Sequence, residues 1–328
     1  MEFDSHKAYD PFKYHLYGIT LSSNRALPGL LPVTHDQNVL PDITLCLQGN
    51  QHKFSPNPTA IYSGLDVISK PDGDYYRVWF QGDGEIIFEI NSAGNFISVD
   101  WTRSKVEEIT TLLVGQVIAC ALRLQGKLCL HACVIQMDEQ AIALIGESGA
   151  GKSTMAAFFA QQGYAVLADD VAALQRIDDH YQVQLGYPRL RLWPKSVHAL
   201  YNDKHALDPI FSFSEKSYLS LSAKPSNPSK FGTFSEQPLP LAAIYILHKR
   251  QPNLTAPYIQ LLPPSAALMA LLQHRSVSHL PLDKPRQQAE LEQLTYVIQT
   301  IPVKQLHRPD NLQDLQAVYE VVRADLAL

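Results

Sequence analysis

Between residues 12 and 99, apolar and polar positions alternate in short runs: "KYHLYGITLSS", "ITLCLQG", "YYRVWFQG", "EIIFEINSAG" and "FISVDW". A period of two, broken by the turn signals "PDGD", "GDGE" and "NSAGN", predicts antiparallel strands and a β-rich domain over residues 1–103. At residue 104 the period changes. Val106, Ile109, Leu113, Val117 and Ala121 recur at helical spacing, which predicts one amphipathic helix opening the second domain, residues 104–328. Ser104 is its expected cap, Glu107 completes a capping box, and Gly126 is the expected stop.

Two β-rich runs follow, "KLCLHACVIQM" and "AIALIGE", and the second feeds a glycine loop. "KSTMAAFFAQQG" reads as a helix closed by Gly163, and "YAVLADD" as a strand ending in two carboxylates. Strand, loop, helix, strand is the order of a nucleotide-binding α/β core. Residues 201–237 are rich in Ser, Pro, Lys and Asn and predict a long loop near the site. "PLAAIYILHK" returns as a strand, and two helical segments, the strand-like "PVKQLHR" and a closing helix complete the chain.

At 328 residues and 46% hydrophobic composition, the chain can bury two cores. No run of eighteen apolar residues appears and the N-terminus lacks signal-peptide features, so the expectation is a cytoplasmic protein without a membrane partner. A net charge of −5 with no dense Lys/Arg cluster argues against a nucleic-acid partner. Cys129, His131 and Cys133 would share one strand face, but sulfurs four residues apart lie roughly 13 Å apart, too far for one metal ion. Together with Cys46 and Cys120 they are expected as core thiols.

The chemistry gathers in "GESGAGKST". Gly146, Glu147, Ser148, Gly149, Ala150, Gly151, Lys152 and Ser153 fit G-x-x-x-x-G-K-[ST] without a gap. Glycines let consecutive N–H groups converge on phosphate oxygens, Lys152 reaches the β- and γ-phosphates, and the Ser153 hydroxyl can bind Mg²⁺. Thr154 extends this set of nucleotide contacts. Asp169 and Asp170 stand where an open α/β sheet binds ligands, so one carboxylate can hold metal while the other accepts a proton from an attacking hydroxyl. Arg189 and Arg191, two apart on a predicted strand, offer phosphate or substrate contacts or else a solvated face. Lys216 could close over a nucleotide or lie exposed in its loop.

The stretch from Leu130 to Asp170, with its histidine, loop and aspartate pair, resembles the catalytic core of bacterial HPr kinase/phosphorylase, which phosphorylates a serine of a phosphocarrier protein. The resemblance implies a P-loop core related to HPr kinase and phosphoenolpyruvate carboxykinase. It further implies Asp169 as catalytic base, Asp170 beside the metal, His131 near the reacting phosphate, and homo-oligomeric assembly. Thr154 stands where that family usually has Glu, and "GYPRLRLWP" replaces its "E-x-R-G" type signature. The chain is more similar to stand-alone members, such as the kinases that tailor lasso peptides. The implied activity is ATP- and Mg²⁺-dependent transfer to a serine-type hydroxyl of a peptide or protein. Two alternatives stay open: a small hydroxylated metabolite as acceptor, or a nucleotide-binding regulatory protein that transfers nothing. For the β-rich domain the residues allow either recruitment of a peptide by strand addition or a packing role.

Overall fold

The computed structural model describes residues 11–33, 39–49, 63–81, 84–201, 207–211, 214–223 and 231–326. It is a mixed α/β structure with sheets of seven, nine and two strands, divided into two compact units, residues 1–113 and 114–328. No helix among the described residues is long and apolar enough to cross a membrane.

The first unit holds β1 (Phe12–Leu16), β2 (Ile19–Ser23), β3 (Ile43–Leu47), β4 (Ser63–Lys70), β5 (Gly73–Gln81), β6 (Glu85–Asn91) and β7 (Phe96–Trp101) in the order β1-β2-β3-β7-β6-β5-β4. The run "KYHLYGITLSS" is a hairpin of β1 and β2. Tyr17 and Gly18 both take positive φ, 55° and 69°, which is the two-residue turn whose twist matches paired strands. The purely antiparallel expectation needs correction, because β2–β3 and β3–β7 pair in parallel. A parallel pair needs a return of a dozen or more residues, and nineteen separate Ser23 from Ile43 in the sequence. Alternate residues of the strands, among them Leu45, Val78, Phe88, Ile90, Ile97 and Val99, are fully buried, as the period of two requires.

The predicted helix is interrupted. α1 (Val106–Leu112) and α2 (Ile118–Leu124) are separated by a π-helical turn at Leu113–Val117, where Gly115 leaves helical geometry at φ −101°, ψ −106°. The cap also falls one residue later than expected: Glu108 accepts from the Lys105 N–H, while the Ser104 hydroxyl bonds Thr102 O. Gly126 does end α2. It stands at φ 79°, with Gly126 N–H on Arg123 O and Lys127 N–H on Leu122 O, the paired bonds of a glycine-closed helix end.

In the second unit, β8 (Leu128–Leu130), β9 (Ala132–Met137), β10 (Gln140–Ile145), α3 (Lys152–Gln161), β11 (Val166–Ala168), β12 (Ala172–Ile177) and β13 (His180–Val183) are followed by β14 (Arg189–Leu192), α4 (Pro194–Tyr201) and β15 (Ser217–Ser220). Then come β16 (Leu239–Leu247), β17 (Tyr258–Leu261), α5 (Pro264–Gln273), α6 (Lys284–Thr300), β18 (Val303–His307) and α7 (Leu315–Leu326). The expected loop at 201–237 contains β15, which pairs antiparallel with β14; residues 202–206, 212–213 and 224–230 of that stretch lie outside the described residues.

Strand direction decides where chemistry can gather. β10 pairs in parallel with β16, β16 in parallel with β18, and β11 runs the same way because both β10 and β11 are antiparallel to β9. The carboxyl ends of four strands therefore share one edge, where the glycine loop, Asp169, His248 and Arg308 emerge. Apolar clusters cover both faces of the sheet, one including Leu144, Phe159, Tyr245 and Val322, the other Ile145, Leu174, Leu271 and Val297.

Gly232 packs against α3. It stands at φ 113°, and a Cβ there would lie 2.7 Å from the Ala160 Cβ. Gly232→Ala is expected to cost about 1–3 kcal/mol through backbone strain and overlap, measured by urea denaturation.

Candidate functional site

Three glycines shape the loop, with Gly146, Gly149 and Gly151 at φ 152°, 78° and 101°. These are conformations a side chain resists. Lys152 is 6% exposed, and its ammonium donates to Gly146 O at 2.8 Å and Glu147 O at 3.2 Å. Burial, chiefly, lowers its pKa. Glu147, Ser148 and Gly149 form the exposed tip.

Asp169 and Asp170 part company. Asp169 is 0% exposed, and its carboxylate accepts from Ser153 Oγ at 3.0 Å, the Cys133 thiol at 2.6 Å and the Arg191 N–H at 2.9 Å. Asp170 takes a left-handed φ of 67°, which breaks the strand alternation. Its carboxylate, 21% exposed, pairs with Arg191 Nη1 at 2.7 Å. Burial and the neighbouring Asp170 push the Asp169 carboxyl up. Burial acts on Asp170 in the same sense, but Arg191, His131, Lys216 and Lys152 outweigh it and hold that carboxyl below its usual range.

The "CLHAC" run does not form one strand. The chain breaks at His131, with β8 pairing β12 and β9 pairing β10 and β11, so Cys129 and Cys133 belong to different strands. His131 Nδ1 lies 2.9 Å from Asp170 O. A carbonyl only accepts, so Nδ1 carries the proton and Nε2 keeps the lone pair. Burial first, then Lys152, lowers the ring's pKa, and the imidazole is neutral at pH 7.

The structure brings Arg191 to the site but not Arg189, whose guanidinium lies over the Tyr218 ring at 4.8 Å. Gly115 explains how Arg191 fits: a Cβ there would be 3.3 Å from Arg191 Nη1. π-turns of this kind recur at functional sites. Thr154 turns its side chain to α4, its hydroxyl 2.7 Å from Ser196 Oγ. Lys216 sits 5.1 Å over the Trp193 ring, close enough to act on Asp170.

Two cavities flank the loop. The first, about 660 Å³, is lined by His131, Asp170, Arg191, Gly115 and residues 273–279. The second, about 690 Å³, is lined by His248, Lys249, Arg250, Arg308, the apolar Leu262, Ala266 and Ala270, and the loop residues Gly149 and Ala150. Glu147, Ser148, Gln273 and His274 line both, so they form the partition between them. Both volumes lie in the range of small-molecule sites. Arg308 donates to Ala150 O, is 5% exposed and has a pKa lowered to about 10 by burial and Arg250.

Sequence reasoning missed Cys133, Arg250, Arg308 and His274 as site residues. Cys133 was visible only as a core thiol, and burial and Asp169 indeed keep it protonated. The arginines follow "YILHK" and "QLH" at strand ends, a signal that gains meaning only once β16 and β18 are known to run with β10. Oxygen donors at Ser153 and Asp169 suit a hard cation such as Mg²⁺, which takes few protein ligands beside substrate phosphates. Among the described residues no group of three or more His, Cys, Asp or Glu is placed to hold a metal by itself.

No protein-family model matches the chain, and no curated protein matches it. Among solved structures, the HPr(Ser) kinase/phosphatase from Coxiella burnetii overlays 60% of this chain and 95% of its own, with 13% identity and a TM-score of 0.33. An overlay that loose fixes neither fold nor activity.

Proposed function

We propose that the chain is an ATP- and Mg²⁺-dependent phosphotransferase that acts on a hydroxyl. The observation that carries this reading is the pairing of loop residue Ser153 with Asp169 beneath a glycine loop that separates two cavities, one of which exposes Asp170 and His131. In this reading ATP lays its phosphates along the backbone N–H groups of residues 146–153, and its nucleoside fills the second cavity, between the apolar wall and Arg250 and Arg308. The acceptor enters the first cavity, and the two meet at the partition.

Burial favours a division of labour opposite to the one the resemblance implies. Asp169, with no exposed surface and the Ser153 hydroxyl on its carboxylate, is suited to the metal side. Asp170 lines the acceptor cavity and is suited to orient the hydroxyl and receive its proton. Arg191 keeps Asp170 ionised, and a weak base suffices because phosphoryl transfer is loose and rests on positioning. Mg²⁺, held by Ser153 and Asp169, would neutralise phosphate charge. Lys152 exchanges its two carbonyl partners for phosphate oxygens, and neutral His131 can accept a hydrogen bond at Nε2.

The acceptor is a serine-type hydroxyl of a peptide or protein, or a small hydroxylated molecule. An open-mouthed cavity of about 660 Å³ has room for either. The test incubates the full chain with γ-labelled ATP, Mg²⁺, serine-containing peptides and pooled hydroxy metabolites. Label on an acceptor, absent with Lys152→Ala, is the expected result; tight nucleotide binding with no transfer to any acceptor would make the protein a nucleotide sensor.

The two aspartates give a sharper expectation. Asp170→Asn should lower transfer by about 10²–10⁴-fold, as loss of a positioned proton acceptor does, with little change in the Mg²⁺ concentration for half-maximal rate. Asp169→Asn should raise that Mg²⁺ requirement. A reversed pattern would restore the roles implied by the resemblance.

A further inference from the structure

One wall of the first cavity, which Asp170 also lines, is the turn at residues 274–279, and several buried contacts fix it. Arg123, 2% exposed, grips Glu290 with two bonds of 2.7 and 2.8 Å and donates through Nη1 to the carbonyls of Ser276 and Val277. Arg275 Nη1 donates to the same Glu290. On its other side the turn is stitched to the strand break: His131 N–H reaches His274 O at 2.8 Å and Ser276 N–H reaches Cys129 O at 2.9 Å. Val277 is held at φ 51°, a conformation that β-branched residues almost never adopt and that persists only when neighbours impose it.

The turn is also electrostatically unfinished. Arg123 and Arg275 share the one Glu290 carboxylate, so these three groups together carry one net positive charge, whereas Arg191 and Asp170 balance one to one. The Arg275 side chain is 20% exposed, and Arg275 itself lines the cavity. Beside it Ser276, 3% exposed, keeps a buried hydroxyl with no hydrogen-bond partner. A buried hydroxyl with no hydrogen-bond partner among the described residues is costly unless a ligand answers it, and the guanidinium beside it shares its carboxylate and can take a second anion.

We propose that this turn is the acceptor-binding wall and that it takes an acceptor bearing a carboxylate or phosphate close to its reacting hydroxyl. The inference rests on the phosphotransferase reading, which assigns the first cavity to the acceptor. Arg275 supplies the charge, Ser276 a neutral hydrogen bond, and the Arg123–Glu290 pair sets their position relative to His131 and Asp170.

The test is calorimetric titration of the full chain, first with ADP and Mg²⁺, then of the loaded protein with malonate, inorganic phosphate and glycerol. Malonate or phosphate should bind the loaded protein, glycerol should not, and Arg275→Gln should weaken anion binding at least tenfold. Arg189→Gln, an equal loss of charge outside the cavity, should leave it unchanged. Arg275→Lys, with its folding checked by melting, should retain part of the binding. If ADP does not bind, the phosphotransferase reading falls and this inference with it. If ADP binds but the anions do not, or bind equally well to Arg275→Gln, the inference alone is overturned.

Discussion

Replacing Arg123 with Met is expected to destabilise the second unit by about 3–5 kcal/mol, the cost of stranding a buried charge. Arg123 is 2% exposed and Glu290 6%, and Arg123 supplies two of the three bonds that the Glu290 carboxylate receives. Without it, Glu290 depends on Arg275 alone, and the carbonyls of Ser276 and Val277 lose a donor. Urea denaturation of Arg123→Met, Glu290→Leu and the double variant checks this. The double variant should recover part of the loss, because the buried carboxylate is no longer stranded, while Arg275, with a side chain 20% exposed, can turn to solvent. Additive losses would mean that the pair is not coupled.

The same pair predicts an acid limit. Burial alone would raise the Glu290 carboxyl, but Arg123 and Arg275 overcome it and hold it below its ordinary 4.5. A folded-state pKa below the unfolded one means that Glu290's contribution is complete above pH 4.5 and is lost as pH falls through the lower folded value. Glu290→Gln should therefore lose stability at neutral pH and show a flatter acid limb.

Replacing Lys152 with Ala is expected to lower phosphate transfer on the order of 10³-fold, as removal of a preorganised charge from a buried site does, while leaving the melting temperature nearly unchanged. The ammonium donates to Gly146 O and Glu147 O, both neutral acceptors, so its loss strands no opposite charge. Its larger role awaits phosphate oxygens. Transfer rate and melting curve, measured on the same preparation, separate the two contributions; a large fall in stability would make Lys152 a structural residue of the loop.

The loop was legible because its signal is local: three glycines at fixed offsets, a lysine and a serine between a β-rich run and a helix. Asp169 and Asp170 were legible as a pair at a strand end, but their opposite environments were not, since these follow from the left-handed turn at Asp170 and from Arg191. The helix break at Gly115 was open to view as a glycine in a helical pattern, yet only the approach of Arg191 gives it a reason. What remained hidden depends on pairing across the chain. Arg250 and Arg308 reach the loop because β16 and β18 run alongside β10, and Arg123 finds Glu290 across 167 residues. An arginine within the apolar "IACALRL" announces that it needs a partner, but not which one.

The partition formed by Glu147, Ser148, Gln273 and His274 has a kinetic consequence. Since each cavity has its own lining apart from these four shared residues, nucleotide and acceptor, in the phosphotransferase reading, would arrive independently and react within a ternary complex. Steady-state lines at varied ATP and acceptor should then intersect, with ADP competing against ATP alone and phosphorylated product against acceptor alone.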